Sequence, residues 1–107
     1  MTTSNVLDEI PISLPVESIR DYCAQQPVRR LSLFGSALRD DFTEASDLDM
    51  LVEYFPGQRV TLLDMAQQEI DLGEIVGRKV DLRTPHELSR HFRQQVIETA
   101  VPIYEHD

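Results

Sequence analysis

Apolar residues recur at helical spacing near the start of this chain and predict a first helix. The segment 16–26 begins after Pro15, whose fixed φ suits the start of a helix, and Pro27 ends it. Ile19 and Cys23 lie about one helical turn apart on the same predicted face. No basic residue near Cys23 in the sequence would lower its pKa, so we expect this cysteine to pack in the core rather than act as a nucleophile.

A second apolar stripe predicts a longer helix in the middle of the chain, and Gly77 is a plausible end for it. We expect the stripe to face the core, because its residues share one helical face opposite Gln67, Gln68 and Glu69. The stripe consists of Leu62, Leu63, Ala66 and Ile70.

The sequence also predicts a last helix that opens at Thr84. Thr84 is a suitable cap, Pro85 suits the first helical position, and Glu87 stands three residues after the cap, which is the pattern of a capping box. We expect the inner face of this helix to be formed by Leu88, Phe92 and Val96.

Compact apolar runs between these helices predict short strands. The runs cover residues 28–34, 47–54, 80–82 and, at the end, 101–104. Residues 37–42 predict a short helical turn, and residues 43–46 predict a loop. Helices that alternate with short strands predict an α/β (α+β) architecture, in which a small mixed β-sheet is packed with helices.

Two carboxylates alternate with apolar residues in the second predicted strand. Successive side chains of a strand point to opposite faces, so Asp47 and Asp49 project together while Leu48 and Met50 can face a core. Adjacent carboxylates repel each other, and a divalent cation between them removes that repulsion. Oxygen ligands on a short motif are typical of Mg²⁺ that is bound together with substrate phosphates. The pattern therefore predicts a metal site.

Gly35-Ser36, at the exit of the first predicted strand, is a candidate phosphate loop. Glycine allows the backbone to approach a ligand closely, and a helix that follows would offer free N–H groups to a phosphate. A phosphate loop and metal-binding carboxylates in one short chain favour nucleotide chemistry.

These motifs resemble the signature of the DNA polymerase β-type nucleotidyltransferase superfamily. The spacing Gly35-Ser36-x10-Asp47-x-Asp49 carries the resemblance. The similarity to the minimal nucleotidyltransferase (MNT) branch is narrower, and it extends over residues 31–39, 46–52, 77–85 and 100–105. It covers the chain from about residue 14 to residue 105 and implies the minimal polymerase β-like fold.

The resemblance implies that Asp47, Asp49 and Asp81 are the catalytic carboxylates. They would hold Mg²⁺, with two ions expected and Mn²⁺ as a substitute. Asp81 would also accept the proton of the attacking hydroxyl, which is a general-base role. The alternative is that Asp81 is a structural, hydrogen-bonded residue at the end of a strand.

The resemblance also implies a nucleotide site, with ATP as the substrate. Gly35 and Ser36 would bind the β- and γ-phosphates, and the planar guanidinium of Arg39 could reach the same phosphates. Arg39 could instead pair with a neighbouring aspartate at the surface. Ser46 would orient Asp47 through a local hydrogen bond.

The chain itself names no acceptor for the transferred group. The minimal branch resembles the antitoxin half of prokaryotic HEPN–MNT toxin–antitoxin pairs, which implies transfer of AMP to a tyrosine hydroxyl of a HEPN ribonuclease and a hetero-oligomer with that toxin. Two alternatives stay open at this point. One is a non-catalytic antitoxin that acts by stoichiometric binding, and the other is a small-molecule nucleotidyltransferase of the aminoglycoside type.

Length and charge limit these possibilities further. The chain has 107 residues, which predicts a loosely ordered segment at 1–13 and one nucleotidyltransferase domain at 14–107. Its net charge of −9 argues against direct binding of nucleic-acid phosphates. A single cysteine, no signal peptide and no long apolar run predict a cytoplasmic protein without a membrane segment.

Overall fold

The structure, a computed structural model, describes residues 14–35 and 47–106. Its helices are α1 (Val16–Ala24), α2 (Leu62–Val76) and α3 (Arg93–Thr99), with a short 3₁₀ helix at Pro85–Glu87. Its strands are β1 (Val28–Leu33), β2 (Leu48–Tyr54), β3 (Val80–Arg83) and β4 (Val101–Glu105). The predicted turn at 37–42, the loop at 43–46 and the segment 1–13 lie outside the described residues.

The four strands form one mixed sheet in the order β3-β2-β1-β4. β1 runs antiparallel to both β2 and β4, whereas β2 and β3 are parallel. A parallel pair needs a crossover connection, and α2 supplies it between β2 and β3. This arrangement confirms the predicted α/β architecture of a small mixed sheet packed with helices.

One face of the sheet carries the core, and α1 and α2 cover it. Alternate positions of the strands point into this face, so that Leu31 lies opposite Val52 and Leu33 lies opposite Met50. The helices contribute buried residues to the same cluster, and Cys23 on α1 is one of them at 1% exposure. The prediction that Cys23 packs in the core is therefore confirmed.

The residues between these core positions point to the second face of the sheet, which is polar at several positions. On β2 these residues are Asp49, Leu51 and Glu53. On β3 they are Asp81 and Arg83. The 3₁₀ helix packs against β2 and helps to cover this face. The candidate catalytic carboxylates of the strands therefore lie on the face opposite the helical core.

The prediction for the inner face of α2 is wrong. Leu62 and Leu63 are 81% and 83% exposed, and Ile70 is 56% exposed. Leu72 and Gln68 face the core instead. The predicted stripe lies on the outer side of the helix. The helix itself and its end at Gly77, which has a left-handed φ of 77°, are as predicted.

A second apolar stripe explains why α2 is turned this way. Met65, Leu72, Ile75 and Val76 pack on the core. Two polar residues share this face: the Tyr54 hydroxyl donates a hydrogen bond of 2.6 Å to the buried amide oxygen of Gln68, and Glu69 accepts a hydrogen bond of 2.7 Å from the backbone N–H of Leu82 on β3.

The single last helix predicted from Thr84 is also wrong. Glu87 does accept a hydrogen bond of 2.9 Å from the Thr84 N–H, as a capping box requires. The helix nevertheless ends after one 3₁₀ turn, because Leu88 is extended, with a ψ of 146°, and only 8% exposed. A guanidinium N–H of Arg93 donates to the Leu88 carbonyl at 3.1 Å, and α3 begins there. Phe92 is 45% exposed rather than part of an inner face.

The remaining elements are close to their predicted limits, and the last predicted extended piece is an edge strand, β4. Across residues 14–35 and 47–106, none of the helices is long and apolar enough to cross a membrane.

Candidate active site

The register of the parallel pair brings two of the candidate carboxylates together. Asp49 on β2 and Asp81 on β3 are direct partners across the strands. Neighbouring strands are about 4.8 Å apart, and paired residues of parallel strands project from the same face. Both side chains therefore lie side by side on the polar face of the sheet. Sequence reasoning predicted each of these residues, but it did not predict their pairing.

Gly35 lies against one member of this pair. Its φ is +69°, and a Cβ built on it would be 2.5 Å from Oδ2 of Asp49. The backbone N–H of Phe34 donates a 3.1 Å hydrogen bond to the carbonyl of Asp49, which fixes the exit of β1 beside β2. Only a residue without a side chain allows this close approach.

Asp47 directly precedes β2 and is exposed. The next residue, Leu48, donates its N–H to the carbonyl of Lys79 at 2.9 Å, and this bond begins the pairing of β2 with β3. Asp47 therefore lies at the same end of the sheet as Asp49 and Asp81. Within the described residues, no group of three or more His, Cys, Asp or Glu side chains is close enough together to hold a metal ion. The three-carboxylate metal site stays a prediction.

Arg83 is the residue of this site that sequence reasoning missed. Its Nε donates to Oδ1 of Asp81 at 3.1 Å, and its Nη2 donates to Oδ2 at 3.3 Å. These hydrogen bonds and the charge of Asp81 raise the pKa of the Arg83 guanidinium, with smaller contributions from Glu87 and Asp49. The contact between Arg83 and Asp81 could have been predicted from the sequence, because residues two apart on a strand share a face.

Glu69 is a second residue with an unpredicted role near the site. Its carboxylate accepts the N–H of Leu82, whose neighbour on the strand is Asp81. β3 is at the edge of the sheet, so this N–H has no partner strand on its outer side. Glu69 thus ties the edge strand to α2 and helps to hold Asp81 in position.

The residues present suit a divalent cation in their ligand chemistry. Asp49 and Asp81 provide hard oxygen donors from adjacent strands, which is the ligand chemistry that Mg²⁺ prefers. The Asp49 carboxylate lies directly against the α-carbon of Gly35, because no side chain is present there to displace it. Asp81 is engaged by Arg83, so this guanidinium would have to move before Asp81 could ligate a metal.

Three predicted nucleotide-binding residues, Ser36, Arg39 and Ser46, lie outside the described residues. Of the predicted phosphate-binding residues, Gly35 is the one that the structure describes.

Comparison with protein families matches residues 17–107 to the family described as Polymerase beta, Nucleotidyltransferase. The chain is also similar to a protein of Methanocaldococcus jannaschii named "Putative protein adenylyltransferase MJ0435". The two are 34% identical over 76 residues, which are 71% of this chain and 80% of that protein.

Two solved structures resemble the fold. One, "Structure of putative minimal nucleotidyltransferase", is 36% identical with a TM-score of 0.68, and the match covers 81% of this chain and 87% of that one. The other, "Crystal structure of the toxin-antitoxin with AMP-PNP", has a TM-score of 0.70 over 88% of this chain and 76% of that one. At 19% sequence identity, the second structure is similar to this chain in fold alone.

Proposed function

This chain belongs to the polymerase beta nucleotidyltransferase family, and we propose that it transfers AMP from ATP to a tyrosine hydroxyl of a HEPN ribonuclease toxin and thereby neutralises the toxin. The observation that carries the enzymatic part is the pairing of Asp49 with Asp81 beside the backbone of Gly35. A purely structural sheet gains nothing from neighbouring carboxylates, since they repel each other.

The reaction is a displacement at the α-phosphorus of ATP. The oxygen of the acceptor hydroxyl forms a bond to this phosphorus, the bond to the bridging oxygen of pyrophosphate breaks, and pyrophosphate leaves. Asp81 accepts the proton of the hydroxyl. Arg83 engages both oxygens of the Asp81 carboxylate, so its guanidinium has to release Asp81 before Asp81 acts as the base.

Asp47, Asp49 and Asp81 would hold Mg²⁺, which would supply charge neutralisation for the triphosphate and the leaving pyrophosphate. The absence of a side chain at Gly35 lets the exit of β1 lie directly against the Asp49 carboxylate. Ser36 and Arg39 would bind the β- and γ-phosphates, and Ser46 would orient Asp47. The chain contributes positioning and electrostatics rather than a covalent intermediate.

A protein acceptor is supported by the comparisons. The relatives carry names of protein adenylyltransferases, and one structural neighbour is a toxin–antitoxin complex with AMP-PNP. A net charge of −9 would complement a basic, RNA-cutting surface on the partner.

The test is an AMP-transfer assay with the helical product of a neighbouring reading frame that carries an Arg-x4-His motif. The native protein with ATP and Mg²⁺ should add AMP to a tyrosine of that product, as mass spectrometry would show. Asp81→Asn should still bind nucleotide but transfer AMP at least about 100-fold more slowly, the usual scale for the loss of a positioned base.

Cells that express the toxin distinguish the two antitoxin mechanisms. If Asp81→Asn rescues growth fully while the toxin stays unmodified, the binding mechanism replaces the enzymatic one. Failed rescue with an unmodified toxin, next to rescue and modification by the native protein, supports catalysis. Modification of an added aminoglycoside instead of the protein would favour the small-molecule alternative.

A further inference from the structure

The guanidinium of Arg83 engages both carboxylate oxygens of Asp81. The two donor–acceptor distances are 3.1 and 3.3 Å, one to each oxygen. Such a bidentate contact is the most specific geometry in which arginine binds a carboxylate. It also places a positive charge on the oxygens that a divalent cation would use.

The positive charge of Arg83 also acts on Asp49, the second carboxylate of the pair. Arg83 lies opposite Leu51, two residues along the strands from the Asp49–Asp81 pair and on the same face. A cation beside two neighbouring carboxylates relieves their mutual repulsion. Arg83 therefore does, in the free protein, part of what a bound metal would do.

This contact is reversible. The side chains of Arg83 and Asp81 are 47% and 34% exposed, and ion pairs at such positions contribute little stability. Because arginine has a long and flexible stem, its head can leave Asp81 without a change in the strand. The pair therefore contributes little to folding, but it occupies both carboxylate oxygens of Asp81 that a cation would use.

We propose that Arg83 is a counter-cation of Asp81 in the metal-free site and competes with the divalent cation for this carboxylate. This inference rests on the proposed function in one respect, namely that Asp81 is a metal ligand. Arg83 acts through Asp81 as a positioning residue. In the free protein its single positive charge offsets one of the two negative charges of Asp49 and Asp81, and it lowers the affinity for the metal until the metal displaces it.

The direct test measures Mn²⁺ binding without nucleotide, by electron paramagnetic resonance of the free ion. Arg83→Ala in the full chain should bind Mn²⁺ more than about twofold and up to about fivefold more tightly than the native protein, since fivefold corresponds to an exposed ion pair at the upper end of its range. Arg29→Ala is the matched control, because it removes the same charge from an exposed arginine near the end of β1 that pairs with Tyr54, five residues along β2 from Asp49. Its Mn²⁺ affinity should change by less than about twofold, since distant exposed charges are screened.

A double-mutant cycle shows whether the effect passes through Asp81. Asp81→Asn should weaken Mn²⁺ binding by itself. In the Asp81→Asn background, the further change Arg83→Ala should alter the Mn²⁺ affinity by less than about twofold. Arg83 and Mn²⁺ then no longer compete for a carboxylate at position 81, and only the screened repulsion between the two cations remains. A gain of the original size that persists in this background would overturn the competition and leave only a general charge effect.

The outcomes separate this inference from the proposed function. Mn²⁺ binding that is equal in the native protein and Arg83→Ala overturns the inference and leaves the metal site intact. If neither protein binds Mn²⁺, even with AMP-PNP present, both the inference and the metal-dependent function are overturned. Melting curves of each variant, recorded by circular dichroism, verify that the compared proteins are folded.

Discussion

The α-carbon of Gly35 lies so close to the carboxylate of Asp49 that no side chain fits between them. A Cβ at this position would be 2.5 Å from Oδ2 of Asp49. The φ of +69° adds a second reason for glycine, because residues with a side chain adopt this region at a cost. The exit of β1 and the carboxylate on β2 therefore form one site, although 13 positions separate them in the sequence.

Gly35→Ala should disable this site. The added methyl group must push the Asp49 carboxylate away, and we expect the affinity for AMP-PNP with Mg²⁺ to fall at least about tenfold, which corresponds to 1.4 kcal/mol. The left-handed backbone should also cost roughly 1–2 kcal/mol of stability. Calorimetric titration and chemical denaturation measure the two effects.

Gly57→Ala is the matched control for this substitution. Gly57 has a φ of +85°, but a Cβ there would meet nothing within 4 Å. It should show a similar loss of stability and no loss of nucleotide affinity. If both variants bind AMP-PNP equally well, the close approach of Gly35 to Asp49 has no part in nucleotide binding.

Glu69→Ala should loosen the edge of the sheet that carries Asp81. The substitution leaves the Leu82 N–H without its 2.7 Å acceptor, and loss of a hydrogen bond to a charged group costs about 1.5–3 kcal/mol. Glu74→Ala makes the same change at an exposed position of the same helix, and it should cost less than about 0.5 kcal/mol. Denaturant unfolding of both variants gives the comparison, and equal losses would refute the anchoring role of Glu69.

The strands and the candidate carboxylates could be predicted from the sequence because a strand has a fixed two-residue alternation. Asp49 and Asp81 stand out as polar residues among apolar neighbours, and their common face follows from the pleat. Their pairing could not be predicted, because the register of β2 and β3 depends on contacts between distant segments. The Arg83 contact follows from the same alternation once Asp81 is located.

The inner face of α2 was beyond such reasoning for a different reason. Two apolar stripes run along α2, and the buried one, formed by Met65, Leu72, Ile75 and Val76, also carries Gln68 and Glu69. The prediction assigned Gln68 and Glu69 to solvent, because their partners, the Tyr54 hydroxyl and the Leu82 N–H, lie on distant strands. Similarly, the helix that starts after Thr84 ends at Leu88, where the side chain is buried, and burial cannot be predicted from local helix propensities.

A pair of identical substitutions on α2 tests this orientation. Leu63→Ala should change the free energy of unfolding by less than about 0.5 kcal/mol, because the side chain is 83% exposed. Leu72→Ala should cost about 2–5 kcal/mol, because that side chain is 2% exposed and its removal leaves a cavity. The reverse order in denaturant unfolding would restore the orientation that the apolar stripe predicts.

Alkaline pH should destabilise the protein through its buried acids. Burial raises the pKa of the Cys23 thiol from an ordinary 9.0 to about 12. It also raises the pKa of Tyr54 from 10.0 to about 12, with smaller contributions from nearby carboxylates. Above the ordinary pKa, the unfolded chain releases a proton that the folded chain retains, so the unfolded state binds fewer protons. The free energy of unfolding must therefore fall as the pH rises from about 9 towards 12.

Cys23→Ala isolates the contribution of the thiol. Between pH 9 and 10 the thiol of an unfolded chain ionises before the phenol of Tyr54 does, so the native protein should lose stability more steeply than the variant. The difference in slope should approach about 1.4 kcal/mol per pH unit, the limit for one proton. At neutral pH the variant is less stable because of its cavity, so the titration is measured by the slope of stability against pH and not by the stability at one pH. Parallel stability curves for the two proteins between pH 9 and 10 would mean that burial does not hold the Cys23 thiol in its protonated form.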